Sequence, residues 1–250
     1  MDSISEAPKA PEPLSEKRSY ALDPILFSEA RTAIIKGFID MAILQPDKKD
    51  EIARRIASFV DQAAKIDRMT GFKNRAGLKE DLELAMGIAR KTKTPLSVLF
   101  IDGDRFKEVN DTLTHAVGDR LIIGFANGIR RTLKRETDIA ARLNKQNYKN
   151  FDEAQNQEHT ATRPGGDEFV IILSGTSPEG AAVVTNKLKV EIAATADLEV
   201  PEYRRRFGQP PSVTIGVATF NPNEDQDWET LLKRADVDMQ MKKRQKGVAR

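Results

Sequence analysis

Residues 163–173 read RPGGDEFVIIL, and the reading of this stretch decides the architecture of the chain. EFVIIL (168–173) is a short apolar run of the kind that forms a buried strand, and Gly165 and Gly166 before it supply the backbone freedom of a tight turn. Having no Cβ, the two glycines also let other groups approach the backbone closely. The local pattern does not explain why two carboxylates, Asp167 and Glu168, stand at the tip of a hairpin. Solvation is one answer. The other requires a group that neutralises them.

A second acidic cluster lies upstream, in FIDGDRFK (100–107). The run LSVLFID (96–102) is continuously apolar and ends in a carboxylate, which reads as a central strand covered on both faces. Asp102 therefore ends a buried strand, where an unpaired charge is costly. If this strand lies beside the hairpin, Asp102 and Asp167 converge, and paired carboxylates repel unless protonated or bridged by a cation. The chain has no cysteine and two histidines, His115 and His159. Disulfides, thiolate catalysis and a histidine-based metal site are thereby excluded, so a bridging cation is a hard one held by oxygen. Lys107 and Lys243 suit the phosphates that such a cation shares with a substrate.

Outward from these two stretches, helices alternate with strands. Asn74 to Lys93 is amphipathic through Leu78, Leu82, Leu84, Ala85, Ile88 and Ala89, and Pro95 ends it. A helix at about 119–134 is followed by an expected short strand, DIAARL (138–143). After the hairpin come a helix at about 177–194, the strand SVTIGVATF (212–220) and a final helix from Trp228 to about Lys246. The alternation predicts an α/β (α+β) sandwich, a central mixed or antiparallel sheet flanked by helices. Residues 144–162, NKQNYKNFDEAQNQEHTAT, are rich in Asn and Gln, lack periodicity and read as a polar insertion.

Ahead of this unit, residues 1–20 have the Pro, Ser, Glu and Lys content of a disordered tail. Residues 21–66 read as a helical accessory segment, with one helix over Asp23–Gln45, a break at Pro46 and a second helix to Ile66. Ile52, Ile56, Phe59, Ala63 and Ile66 form a short heptad stripe that suits either a helical neighbour or a dimer seam. Lys and Arg number 40 against 38 Asp and Glu, a net charge of +2, which argues against a polymeric nucleic-acid partner or a membrane surface. The N-terminus lacks the apolar core of a signal peptide, and no apolar stretch approaches a membrane span. A soluble cytoplasmic protein is the expectation.

Five stretches in register resemble one family. DRMTGFKNR (67–75), FIDGDRFKEVNDTLTHAVGD (100–119), RPGGDEFVIIL (163–173), SVTIGVA (212–218) and ADVDMQMKK (235–243) are similar to the ordered motifs of the GGDEF domain. This is the family of diguanylate cyclases, which condense two GTP into cyclic di-GMP. The resemblance implies a palm-like nucleotidyl cyclase fold over residues 67–250, with residues 21–66 as a dimerisation segment. It implies two Mg²⁺ (or Mn²⁺) ions per active site, with Asp102, the Gly103 carbonyl and Asp167 as ligands and Glu168 as a further required acid. Asn110 and Asp119 match the residues that read guanine. Lys107, Lys243 and the backbone near Arg105 and Phe106 match the phosphate contacts, with Gly165 and Gly166 making room for the nucleotide. Each domain of the family holds one GTP, so a homodimer is implied.

Arg135 and Asp138 (RETD) resemble the family's inhibitory R-x-x-D site, where the product cyclic di-GMP binds. Asp104, His115 and Arg75 are read as structural support. The chain departs from the family pattern at Gly103, Thr114, Gln240 and Gly247. Two alternatives to an active cyclase stay open: a GGDEF domain that binds nucleotide as a sensor or scaffold without turnover, and a cyclase making mixed cyclic GMP-AMP.

Overall fold

The computed structural model describes residues 32–40, 46–144 and 159–247. The expected tail, most of the first accessory helix and residues 145–158 lie outside the described residues. Residues 32–40 are helical (α1), and a 3₁₀ turn at Pro46–Lys48 leads into α2 (Lys49–Ala64). None of the described helices is long and apolar enough to cross a membrane.

The turn after α2 is closed by an isolated bridge between Ile66 and Lys73. Asn74 then serves two helices at once. Its Oδ1 accepts from Ala76 N and Gly77 N to cap α3 (Arg75–Thr92), and its Nδ2 donates to Ala64 O, 2.7 Å away at the end of α2. Such caps satisfy backbone donors that a helix start leaves unpaired. α3 ends at Lys93, which takes the left-handed conformation two residues before Pro95.

β1 (Leu96–Gly103) is buried along its whole length, as the unbroken apolar run predicts. α4 (Phe106–Thr112), α5 (His115–Asn144), the hairpin arms β2 (Thr160–Gly165) and β3 (Glu168–Ser174), and α6 (Pro178–Glu199) follow. The chain closes with α7 (Pro201–Phe207), β4 (Val213–Thr219) and α8 (Trp228–Gln245). The strand order is β2-β3-β1-β4 and all three pairings are antiparallel. Alternate side chains of a strand face opposite ways, and β1 uses this fully. Leu99 and Ile101 pack with Phe125, Ile129, Ile192 and Phe169 beneath α5 and α6, while Val98 and Phe100 pack with Leu82, Leu231 and Met239 beneath α3 and α8.

Two expectations are corrected. DIAARL is not a strand but the last part of α5, which runs unbroken to Asn144. The segment is rich in the good helix formers Ala, Arg and Leu and holds no Gly or Pro to stop the helix before it. The first arm of the hairpin comes instead from inside the stretch read as insertion, where Thr160, Ala161 and Thr162 pair with Ile172, Ile171 and Val170. The alternation also left two short helices unread, α4 and α7, each seven residues long.

Candidate functional site

The hairpin places its acids beside the end of β1. Gly165 pairs with Glu168, leaving Gly166 and Asp167 as a two-residue turn. Gly166 has φ of 55° and Asp167 has no positive φ, the pattern of a type II′ turn with glycine first. The register of β1 on β3 sets Asp102 opposite Glu168. A bulge between Thr162 and Gly165 redirects the arm before the turn. It falls at Arg163 and Pro164, on an edge strand where proline costs no ladder bond.

Arg163 holds this turn in place. Its Nε and Nη2 donate to Gly166 O at 2.9 and 2.7 Å, and its Nη1 donates to both oxygens of Asp67 at 3.1 Å. Asp67 is itself fixed by the Thr70 N–H and hydroxyl at 2.8 and 2.6 Å. The DRMTG segment thus reaches the GGDEF turn through one guanidinium. Nothing in the sequence alone marked Arg163, although a buried arginine beside a glycine turn is a signal of a brace.

Asp102 is buried, and Lys243 of α8, 5% exposed, forms an ion pair with its Oδ1 and donates to Gly103 O at 3.2 Å. The Asp167 carboxyl is pushed up to about 7, first by burial and then by the charge of Asp102. Gly103 makes the approach of Asp167 possible, since a Cβ there would meet Asp167 Oδ2 at 2.9 Å and the Phe125 ring at 3.0 Å. The departure from the family pattern at 103 is therefore matched by the position of Asp167. Among the described residues no group of three or more His, Cys, Asp or Glu side chains converges for a metal. The donor set is two carboxylates and one carbonyl oxygen around a protein cation. Such a hard, partial set fits Mg²⁺, which is commonly held by one or two carboxylates plus water and substrate phosphate.

These groups open on a cleft of about 830 Å³ lined by Asp102, Gly103, Phe106, Lys107, Asn110 and Asp167, together with Arg105, Glu108, Asp111, Glu168, Lys243 and Gly247. Arg105 sits at the N-cap of α4 with φ of 62°, an uncommon value for a residue with a side chain. Two bonds of 2.7 Å to Glu108 and a stacking contact with Phe207, 4.6 Å to the ring centre, hold it there. Asn110 Oδ1 is buried with no hydrogen-bond partner among the described residues. It lies where a Cβ of residue 118 would be, 2.1 Å away, so Gly118 is required for its position.

Other anticipated residues lie elsewhere. Asp119 is exposed on α5, and Gly165 and Gly166 are exposed at the turn; none of the three lines the cleft. Arg135 and Asp138 are in helix rather than just before a strand, and their side chains lie outside the described residues. Asp104 accepts from Ser212, Thr214 and Lys246 and ties β1 to β4 and α8. Thr114 uses its hydroxyl to accept from Val117 N at 3.3 Å at the start of α5. His115 and Arg75 are exposed at helix starts.

The family model described as "Diguanylate cyclase, GGDEF domain" matches residues 64–148 and 148–248. Diguanylate cyclase TpbB of Pseudomonas aeruginosa is 35% identical over 181 residues, covering 72% of this chain and 35% of that protein. The chain thus spans about a third of the length of this curated relative. A sensory box/GGDEF family protein from Caulobacter crescentus matches with a TM-score of 0.52 and 27% identity, over 72% of this chain and 99% of that one. The coiled coil and GGDEF domain of DgcB from Caulobacter crescentus, solved in complex with c-di-GMP, shares the fold with a TM-score of 0.60 and 22% identity. That match takes in 82% of this chain and 94% of that one.

Proposed function

The chain belongs to the GGDEF diguanylate cyclase family, and from that premise we propose that it condenses two GTP into cyclic di-GMP with release of two pyrophosphates. The observation that carries the reading is the meeting of Asp102, Asp167, the Gly103 carbonyl and Lys243 at one end of a cleft that also holds Asn110 and Lys107.

In this reading the 3′-oxygen of one GTP forms a bond to the α-phosphorus of the other. The bond from that phosphorus to the bridging oxygen breaks, pyrophosphate leaves, and the hydroxyl proton is lost. A second, reciprocal transfer closes the ring. Asp102, Gly103 O and Asp167 would hold Mg²⁺ or Mn²⁺, which when bound lowers the pKa of the attacking hydroxyl and offsets charge on the phosphates. Glu168, opposite Asp102 across the sheet, adds a further carboxylate to that end of the cleft. Lys107 and Lys243 contact the triphosphate, with the backbone at Arg105 and Phe106 beside them. Asn110 offers guanine an amide acceptor that has no partner among the described residues, and Asp119 is assigned to the same base on the strength of the motif.

Each cleft takes one GTP, so two copies meet face to face, and residues 21–66 bring them together. The joint that Asn74 makes between α2 and α3 is what lets that segment orient the cleft. Incubation with GTP, ATP and Mg²⁺, with products identified by mass spectrometry, tests the activity. Cyclic di-GMP alone supports it. A mixed dinucleotide redirects the specificity, and retained nucleotide binding without any cyclic product leaves a binding module. A protein truncated to begin at Lys65 that cyclises GTP as fast as the whole chain, at equal low concentration, removes the role of residues 21–66.

A further inference from the structure

α8 lies along the outer border of β4, and the contact is a ladder of side chains on backbone. Lys246 Nζ donates to Val213 O at 3.2 Å and Lys242 Nζ to Ile215 O at 3.2 Å. Val217 N donates to Asp238 Oδ2 at 2.7 Å, and Arg234 Nη1 donates to Thr219 O at 3.3 Å. Residues 213, 215, 217 and 219 are alternate positions of an edge strand, whose outward groups otherwise lack partners. Residues 234, 238, 242 and 246 recur at four-residue intervals along the helix and its C-cap. Four helical residues rise about 6 Å and two strand residues about 6.6 Å. The two repeats therefore stay in step over all four rungs.

The ladder is braced at both ends and in depth. Arg234 pairs with the fully buried Asp225 at 2.7 Å, Asp238 with Lys242 at 2.6 Å, and Lys246 with Asp104 at 3.0 Å. Gly216 admits the helix backbone directly: a Cβ there would lie 2.1 Å from Ala235 O and 2.3 Å from Met239 N. Lys243 is the neighbour of Lys242 and points the other way, into the cleft against Asp102 and Gly103 O. A slip of one residue turns the helix by about 100° and removes Lys243 from the cleft. A slip of one whole rung carries it about 6 Å along the strand.

We propose that Asp238 and Lys242, with Arg234 and Lys246 at the ends, are positioning residues that set the register of α8 on β4 and so hold the Lys243 ammonium in the cleft. The proposal rests on the reading of Lys243 as a triphosphate contact. It assigns a task to a stretch of charged residues that otherwise reads as a solvated helix face.

The test uses the whole chain, Mg²⁺ and a GTP analogue with a methylene group between the α and β phosphorus atoms, with affinity measured by calorimetry. K243A weakens binding by about tenfold or more, the scale of a lost charge-assisted hydrogen bond. D238A speeds hydrogen exchange of the Val217 amide and weakens binding by about fivefold, a smaller factor because Lys243 is displaced rather than removed. D238N, whose carbonyl oxygen still accepts from Val217 N–H, restores most of both. The double variant D238A/K243A binds no worse than K243A, because the effect passes through Lys243. An additive loss in the double variant overturns the positioning role while leaving the reading of Lys243 intact. Unchanged affinity in K243A overturns that reading itself, and with it the proposal, whatever the Val217 exchange rate shows.

Discussion

Removing Arg163 is the most direct way to ask whether the GGDEF turn is held or merely formed. Its side chain is 10% exposed and that of Asp67 22%, so the pair is poorly screened. R163A deletes two contacts to the Asp67 carboxylate and two to Gly166 O. A hydrogen bond to a charged group contributes about 1.5–3 kcal/mol, and stripping the partner from a buried charge costs about 3–5 kcal/mol. Asp67 is not stripped, because Thr70 still donates to it twice, and the exposed turn lets water reach Gly166 O. The expected loss is therefore at the lower end, about 2–3 kcal/mol. Urea denaturation of the whole chain measures it as a fall in midpoint at unchanged slope. R163K, which cannot reach both partners with one ammonium, loses about half as much. D67N combined with R163A should show a coupling of about 1–2 kcal/mol. Mn²⁺ affinity falls in R163A as well, since Asp167 follows the carbonyl that Arg163 holds. A stability within about 0.5 kcal/mol of the unchanged protein, the range of ordinary surface substitutions, refutes the brace.

Three further outcomes are expected. G216A sets a methyl against the backbone of α8 at 2.1 and 2.3 Å and destabilises by about 3 kcal/mol or more, read as a fall of several degrees in Tm; an unchanged Tm contradicts the packing. In G118A the obstructed atom is the end of a flexible side chain, Asn110 Oδ1, so Tm moves little while affinity for the GTP analogue drops; affinity equal to that of the unchanged protein removes Asn110 from guanine recognition. Treatment with a chelator stops cyclic dinucleotide formation, and Mg²⁺ or Mn²⁺ restores it. Turnover that survives exhaustive chelation refutes the assignment of Asp102 and Asp167 as metal ligands.

Long elements were legible in the sequence because each carries its own period. β1 announced itself as an unbroken apolar run, and α3 by its spacing and the Pro95 stop. DIAARL failed for the opposite reason: a stretch of six residues, four apolar and two charged, fits either a strand or a helix. FKEVNDT and PEYRRRF are too short to show a period at all. Thr160 to Thr162 were absorbed into a polar tract because their partners on β3, Ile172, Ile171 and Val170, lie beyond the turn and supply the apolar context that the tract lacks. At the site, Asp102 and Asp167 were found by charge logic before any resemblance was invoked. Arg163 with Asp67, and Asn110 with Gly118, were not, because what fixes them is proximity created by the fold rather than spacing along the chain. The resemblance added roles to residues; it did not reveal what holds them.

Among the described residues, both borders of the sheet are partly covered by other segments of the chain. On β2, Arg163 N donates to Lys73 O at 2.8 Å, Lys73 bridges to Thr162, and Pro164 has no N–H to offer; on β4, the charged side chains of α8 take the outward groups. Among the described residues, strand-to-strand extension by a second copy is therefore obstructed at both borders, which favours contact through side-chain surfaces. Encounters of that kind can be strengthened or weakened one residue at a time and can come apart again, whereas edge-to-edge growth tends to be hard to reverse. Under the proposed face-to-face meeting of two copies, the covered borders guard against the one form of self-association that would not let go.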